Sequence, residues 1–209
     1  MSTITIVTLV SMGIVLISLF INWVIRYQKK TKEKLAEFAQ SLGAEIDPGS
    51  WKKQAILSGK IDDTDYIFTF HVVSTGNSSV TYLDLKTPVS LPKTKLKARK
   101  MTRVNKFFDK MGLQNPISSG DMFFDDNVLI TGNPEENIKQ ILYKPYFKEN
   151  LKTLVSNKFE VTVNGSSLVA SKVYNSRKDL DLVFIKTNLQ ALTNAAKEIN
   201  SFSSQLNRW

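Results

Sequence analysis

Cysteine is absent from this 209-residue chain, histidine occurs once, and glycine and proline are scarce, with nine and six residues. Without cysteine the chain has no disulfide, no thiolate nucleophile and no cysteine-based zinc site. The single histidine, His71, has no second imidazole or thiolate with which to complete a zinc site. So few glycines and prolines in a chain that is 42% apolar exclude a fibrous or disordered protein. The length suffices for one membrane segment and one soluble domain.

Motifs that carry common catalytic chemistry are absent as well. The chain has no glycine-rich phosphate loop, no dinucleotide fingerprint and no nucleophile-elbow serine. The stretch IDDTD, residues 61–65, contains three carboxylates but lacks the spacing, the central glycine and the distal glutamate of a calcium loop. We therefore expect no catalytic residue, no metal site and no cofactor, and a protein that is not an enzyme.

Charged side chains are missing from residues 1–25. A bilayer core requires roughly 20 apolar helical residues, and this stretch is long enough. A cleaved signal peptide would need a basic start and a small-residue cleavage site, and neither is present. The sequence therefore predicts an uncleaved transmembrane helix over residues 1–26 and a location in the inner (plasma) membrane.

Basic residues follow this stretch at once, and they predict its orientation. The cluster consists of Arg26, Lys29, Lys30, Lys32 and Lys34. The positive-inside rule places such a flank in the cytoplasm, with the amino terminus outside and the rest of the chain inside. Residues 27–44 are expected to form a basic juxtamembrane helix, and residues 45–209 a cytoplasmic domain.

Small and polar residues form one stripe along the predicted span. The stripe contains Thr8, Ser11, Val15, Ser18 and Asn22, spaced alternately three and four residues apart. Such a stripe allows a second helix to approach closely, which predicts a protein partner or a homo-oligomer held through the span. In the alternative interpretation, the hydroxyls bond back to carbonyls of their own helix.

Strand patterns dominate the first part of the soluble domain. Three β-rich runs at residues 54–61, 65–73 and 79–89 are separated by short polar turns, which predicts an antiparallel meander. Residues 159–173 predict a hairpin joined through Asn164-Gly165.

Helical patterns interrupt and follow these strands. A short helix near residues 101–112 is expected to turn its apolar residues, Met101, Val104, Phe107, Phe108 and Met111, toward a core. A helical stretch over residues 134–155 is expected to bend near Pro145. A long last helix begins after Ser176 as N-cap and carries an apolar seam formed by Ile185, Leu189, Leu192, Ala196, Ile199 and Phe202. We expect that seam to pack on the sheet, with a coiled-coil dimer as the alternative. The fold class is α+β: a single domain of antiparallel strands packed with helices, ending in the long C-terminal helix.

Carboxylates are concentrated around a short predicted strand near residue 128. Asp125 and Asp126 would point to opposite faces of a strand and would not converge. Glu135 and Glu136 follow Pro134, with Asn133 as predicted N-cap, and suit the first turn of a helix. We interpret all of these acids as structural. The alternative is a membrane-tethered hydrolase that uses Asp121, Asp125 and Asp126.

A run of cations carries the clearest functional signal. The run, here named the basic ridge, consists of Lys93, Lys95, Lys97 and Arg99, extended by Lys100, Arg103 and Lys106. No acid interrupts residues 93–106, and the first four alternate, so in an extended segment they share one face with Thr94, Leu96 and Ala98 behind. The ridge predicts contact with anionic lipid or an acidic protein. The alternatives are a solvated edge strand whose lysines prevent aggregation, and a nucleic-acid surface.

The segment GDMFFDDNVLITGNPEENIKQILYKPYFKENLKTL, residues 120–154, is similar to a group of uncharacterised bacterial proteins with an α+β domain. The shared features are Gly-Asp before Phe-Asp, a short strand, a Gly-Asn-Pro turn and a helix ending in Leu-x-x-Pro. The resemblance extends over roughly residues 45–200 and implies one compact, membrane-anchored domain, and it implies no activity. The expected function is therefore that of a non-enzymatic accessory or structural subunit of a membrane-associated assembly, which binds a protein partner, the anionic inner leaflet, or both.

Overall fold

The computed structural model describes residues 3–47, 49, 54–111, 115–175 and 177–206. The helices and strands follow in this order: α1 (Thr3–Leu42), β1 (Glu45–Asp47), β2 (Ile56–Ile61), β3 (Thr64–Thr75), β4 (Ser78–Pro88), β5 (Lys95–Lys100), α2 (Arg103–Lys110), α3 (Met122–Asp125), β6 (Val128–Asn133), α4 (Glu135–Leu142), α5 (Pro145–Ser156), β7 (Glu160–Asn164), β8 (Ser167–Val173), a 3₁₀ turn (Arg177–Leu180) and α6 (Leu182–Leu206). The predicted α+β arrangement with a long C-terminal helix is confirmed.

One continuous helix of 40 residues, α1, forms the amino-terminal part of the fold. Leu35, Phe38 and Ala39 near its end are buried, and this end packs on β1 and β2. A helix crosses a bilayer only if it supplies roughly 20 consecutive apolar residues. In the part of the chain that the structure describes, no helix is long and apolar enough to do so. The prediction of a transmembrane helix over residues 1–26 is therefore wrong, and so are the single-span topology and the integral membrane partner derived from it.

The polar stripe and the basic flank of α1 lose the roles that depended on a span. The Ser18 hydroxyl donates to the carbonyl of Val15 at 2.9 Å, as in the alternative interpretation, and Asn22 is exposed. The side chains of Thr8 and Ser11 lie outside the described residues. On the basic flank, the exposed side chains are those of Arg26, Lys29, Lys32 and Lys34, and the Lys30 side chain lies outside the described residues.

The eight strands form one antiparallel sheet in the order β1-β2-β3-β4-β8-β7-β5-β6. The predicted meander is β2-β3-β4, and the predicted hairpin is β7-β8. One row of paired residues crosses the sheet through Leu57, Phe68, Leu85, Ala170, Val161, Ala98 and Ile130, and all of them are buried. Since side chains alternate along each strand, this row marks the inner face, and the residues beside each member point to the outer face.

Helices cover the inner face. The α6 helix packs on β2, β3, β4, β8 and α5, while α5 packs on β5 and β7 and α4 packs on β6. The whole predicted seam of α6 is buried, which confirms packing on the sheet. The helix starts later than predicted, at Leu182, where the Asp181 carboxylate accepts the Phe184 N–H at 3.1 Å. Ser176, the predicted N-cap, lies outside the described residues.

Local details differ from the predictions around residue 128. The residues expected to enter a strand form the one-turn helix α3, so the strand alternation predicted for Asp125 and Asp126 is wrong. The helix N-cap before Glu135 is Pro134, without a side-chain cap, and not Asn133. The bend near Pro145 is a complete break between α4 and α5, because proline cannot continue the hydrogen-bond ladder.

The apolar face of α2 differs most from its prediction. Val104, Phe107 and Met111 were expected in a core, but they are 61%, 59% and 57% exposed. Met101 is half-buried, and the Phe108 side chain lies outside the described residues. Helical periodicity groups apolar residues on one face, but it does not specify what that face contacts.

Candidate functional site on the outer face of strand β5

The basic ridge lies on an interior strand. β5 pairs with β7 on one side and with β6 on the other. Its start is fixed by Thr94, which is fully buried and whose hydroxyl accepts a hydrogen bond from the Asn137 amide at 3.1 Å. A strand paired on both sides has no free edge to protect. The alternative that these lysines guard an edge strand is therefore wrong.

Side chains of β5 alternate between the two faces of the sheet. Leu96, Ala98 and Thr94, the residue just before the strand, are buried. Lys95, Lys97 and Arg99 lie on the opposite face, where the two lysines are exposed and Arg99 is half-buried. The other described cations of the ridge are also exposed, but they lie at the ends of β5: Lys93 in the turn before it, Lys100 as its last residue and Arg103 at the start of α2. The Lys106 side chain lies outside the described residues. The outer face of β5 thus carries Lys95, Lys97 and Arg99, and the remaining described cations extend this basic segment at its two ends.

One acid neutralises part of the ridge. The Lys97 ammonium lies 2.7 Å from the Glu160 carboxylate, and the two side chains are 47% and 42% exposed. Over the described ranges of the chain, no ion pair is formed by Lys95, Arg99 or Lys100. An exposed pair such as Lys97 with Glu160 contributes little to stability, about 0 to 1 kcal/mol. The main effect of the pair is therefore to neutralise one positive charge of the ridge.

A shallow depression of about 280 Å³ lies in the middle of the ridge. Its lining includes Lys95, Lys97, Thr131, Thr162 and Asn164 from three neighbouring strands. The register explains this convergence, because Lys97 pairs with Thr131 on one side and Thr162 on the other. Two ammonium groups, two hydroxyls and an amide are all hydrogen-bond donors, so the depression suits an anion with several oxygens.

The carboxylates near α3 have separate structural partners. Asp121 accepts the Phe124 N–H at 3.1 Å and contacts the Lys148 ammonium at 3.3 Å. Chiefly the Phe124 N–H, and then Lys148, hold the pKa of the Asp121 carboxyl below its usual value. Asp125 instead accepts the Ser118 hydroxyl at 2.7 Å and the Ser119 N–H at 3.0 Å. Within the described residues no group of acids or histidines is arranged to hold a metal ion. The hydrolase alternative gains no support from this arrangement.

The acids of α4 are arranged as the sequence predicts, in the first helical turn. Glu135 bonds Lys139 one turn later at 2.7 Å, and this hydrogen bond raises the pKa of Lys139. Such i, i+4 pairs stabilise a helix by a few tenths of a kcal/mol. The acids of α4 therefore have a sufficient structural explanation.

A polar cluster around Asp84 on the outer face was not predicted. The carboxylate is buried and contacts His71 Nδ1 at 2.7 Å and the Ser171 hydroxyl at 2.7 Å, while His71 stacks on Tyr82 with 4.8 Å between ring centres. The register of the β3-β4 hairpin predicts that His71 and Asp84 are neighbours, because His71 pairs with Tyr82 and so lies diagonally opposite Asp84. Nucleophilic catalysis would need the serine hydroxyl on the imidazole. Here it bonds the carboxylate, so the cluster stabilises the sheet.

Comparison with known proteins gives little further information. No protein family matches the chain, and no curated protein matches it. Among solved structures, the chain is similar to the crystal structure of the mycobacterial trehalose monomycolate transport factor A, TtfA. The identity is 11%, the TM-score is 0.46, and the match covers 78% of this chain and 94% of that one. A similarity at this level does not identify a function.

Proposed function

We propose that this protein is a non-enzymatic binding protein whose basic ridge contacts anionic phospholipid headgroups at a membrane surface. The contact is peripheral and requires no membrane-spanning helix. The observation that carries the proposal is the row of cations Lys95, Lys97 and Arg99 on the outer face of an interior strand, with exposed Lys93, Lys100 and Arg103 at its ends. Because β5 is held on both sides, these charges keep their spacing without a partner.

The depression in the ridge supports phosphate as the recognised group. Lys95 and Lys97 supply positive charge, and Thr131, Thr162 and Asn164 supply neutral donors at the same place. A headgroup phosphate presents several acceptor oxygens and a negative charge, and lysine binds phosphate as a point charge. The cytoplasmic leaflet is the membrane surface that carries such anionic lipids, and we propose it as the location.

Neutralising the ridge is expected to abolish most of the preference for anionic membranes. Each basic residue near an anionic surface contributes about 1 kcal/mol. The triple variant Lys95→Gln, Lys97→Gln, Arg99→Gln should therefore lower the ratio of affinities for vesicles with and without phosphatidylglycerol by at least about 30-fold, counting two unpaired cations in full. Vesicle sedimentation of the full chain measures both affinities. Since α1 and its basic flank are the same in every variant, their contribution to lipid binding cancels when the ratio of a variant is compared with that of the wild type.

A matched triple variant supplies the control. Lys60→Gln, Lys186→Gln, Lys197→Gln removes the same number of positive charges away from β5. Lys60 lies on β2, near the opposite end of the strand order, and Lys186 and Lys197 lie on α6. This control should keep the wild-type ratio. An equal loss in both triples, or a wild type without preference for anionic vesicles, would overturn the proposal. Ridge-dependent binding to duplex DNA or to an acidic protein in place of vesicles would likewise overturn it, in favour of that partner.

Removing the acid on the ridge is expected to strengthen binding. Glu160→Gln frees the Lys97 ammonium, now 2.7 Å from the carboxylate, and removes a repelled charge. We expect the ratio to rise about fivefold, the equivalent of one further basic residue. Asp65→Asn is the control, because Asp65 also pairs with an exposed lysine, Lys60, at 3.5 Å but lies on β3. A Glu160→Gln variant that binds no better than Asp65→Asn would contradict the role of the ridge.

A further inference from the structure

Two clusters of exposed apolar side chains lie where the basic ridge ends. On α2 and the turn that directly follows it, Val104, Phe107 and Met111 are all more than half exposed and share one face by their helical spacing. On α3, Met122 and Phe123 are 83% and 67% exposed. Large apolar side chains with such exposure are costly in water, and several together mark an interaction surface. We name these five residues the apolar corner.

Two hydrogen bonds, one main-chain and one from the side-chain amide of Asn127, bring the start of α2 close to α3. The N–H of Met101, just before α2, donates to the carbonyl of Asn127 at 2.9 Å. The amide of Asn127 in turn donates to the carbonyl of Phe123 at 2.8 Å. The last residue of β5, Lys100, pairs with Val128 at the start of β6. The end of β5, the residue before α2 and the end of α3 are therefore neighbours in the fold.

Cations flank the apolar corner. Lys100 and Arg103 are exposed beside α2, and the Lys152 ammonium lies 4.0 Å from the centre of the Phe123 ring. Among the nearby acids, Asp121 contacts Lys148, Asp125 accepts bonds from Ser118 and Ser119, and Asp126 is exposed at the end of α3. Apolar residues with phenylalanine beside basic residues are the composition of segments that lie in a membrane interface.

We infer that the apolar corner inserts into the interface of an anionic bilayer when the basic ridge contacts its headgroups. The inference rests on the proposed function of the ridge and adds the apolar part of the same contact. The apolar side chains are 57% or more exposed, and the cations beside them match the charge of an anionic bilayer. Insertion is shallow, because an interfacial helix lies in the membrane plane and buries only its apolar face, to a depth of about 5 to 10 Å.

A site-specific label tests insertion separately from any lipid contact of α1. Since the chain has no cysteine, Val104→Cys and Met122→Cys each provide a unique site for a nitrobenzoxadiazole label in the full-length protein. Both labels should move to blue-shifted, brighter emission with phosphatidylglycerol vesicles, and doxyl-labelled lipid should quench them. The control is Val183→Cys on α6, which is 71% exposed and should remain in water.

Substitution provides the second readout. Phe107→Ser and Phe123→Ser should each weaken binding to anionic vesicles about tenfold, since each removes one phenyl group from an apolar environment. Val183→Ser should leave it unchanged. If anionic preference depends on the ridge but both labels stay in water and the serine variants bind as wild type, the inference about the corner is wrong and the proposed function stands. If the wild type shows no anionic preference, the proposed function itself has failed.

Discussion

Replacing Asp179 with alanine is expected to lower the free energy of unfolding by about 3 to 5 kcal/mol, the cost of leaving a buried charge without its partner. Lys172 lies on the inner face of β8 and is 9% exposed, and its ammonium bonds the Asp179 carboxylate, which is 6% exposed. The same ammonium lies 4.5 Å from the centre of the Phe184 ring. A cation–π contact of about 2 kcal/mol when desolvated does not replace the lost carboxylate. Urea unfolding followed by circular dichroism measures the loss.

A double variant separates the unpaired charge from other effects of the substitution. Lys172→Met with Asp179→Leu removes both charges and keeps apolar volume beside the rings of Phe184 and Phe159, whose centres lie 4.5 Å and 5.9 Å from the Lys172 ammonium. Replacing a buried pair in this way is often neutral or stabilising, so the double variant should be at least as stable as the wild type. Asp179 also accepts the N–H of Asn175 at 3.0 Å, but Asn175 is exposed, so water can satisfy that donor. If single and double variants are equally unstable, the explanation by an unpaired lysine is wrong.

Sequence alone identifies the strands and helices whose signals are local. The β3-β4 and β7-β8 hairpins follow from alternation and from turn residues such as Gly76 and Gly165, both of which have positive φ. The three-residue strand β1 was missed, since it is too short for a period to appear and is defined by its pairing with β2. The ridge follows from alternation as well. Its position inside the sheet does not, because strand order depends on contacts between distant segments.

The same limit explains the errors on apolar helices. The spacing of Val104, Phe107 and Met111 correctly predicts a helix with one apolar face, but not that this face is exposed. For residues 1–26, hydropathy alone predicted a membrane span that the described structure does not support. The cluster of His71 and Asp84 was missed for a different reason. The hairpin register places both residues diagonally on one face, so combining that register with the residue types would have found them.

Gly132→Ala is expected to destabilise the protein by about 3 kcal/mol or more, the upper part of the range for overpacking in a closely packed site. A Cβ at this position would lie 2.1 Å from the carbonyl oxygen of Lys95 and 2.7 Å from Ile138 Cδ1. A flexible side chain can move away from such a contact, but the carbonyl belongs to β5, which is held by β6 and β7 on its two sides. The substitution must therefore separate β5 from β6.

Gly76→Ala is the matched control for this prediction. Both glycines have a positive φ, +155° at Gly132 and +65° at Gly76, but no heavy atom lies within 4 Å of a Cβ built at Gly76. It should lose only the cost of a left-handed conformation, about 1 to 2 kcal/mol, and it should bind anionic vesicles as the wild type does. Gly132 lines the depression on the ridge, so the folded fraction of Gly132→Ala should also lose anionic preference. Equal stability losses in the two variants, by urea unfolding, would show that backbone conformation and not the β5-β6 contact sets the requirement for glycine. A larger loss of stability in Gly132→Ala, together with weaker vesicle binding, would show two things about the close approach of β5 and β6. It stabilises this edge of the sheet, and it gives the ridge the shape that binds vesicles.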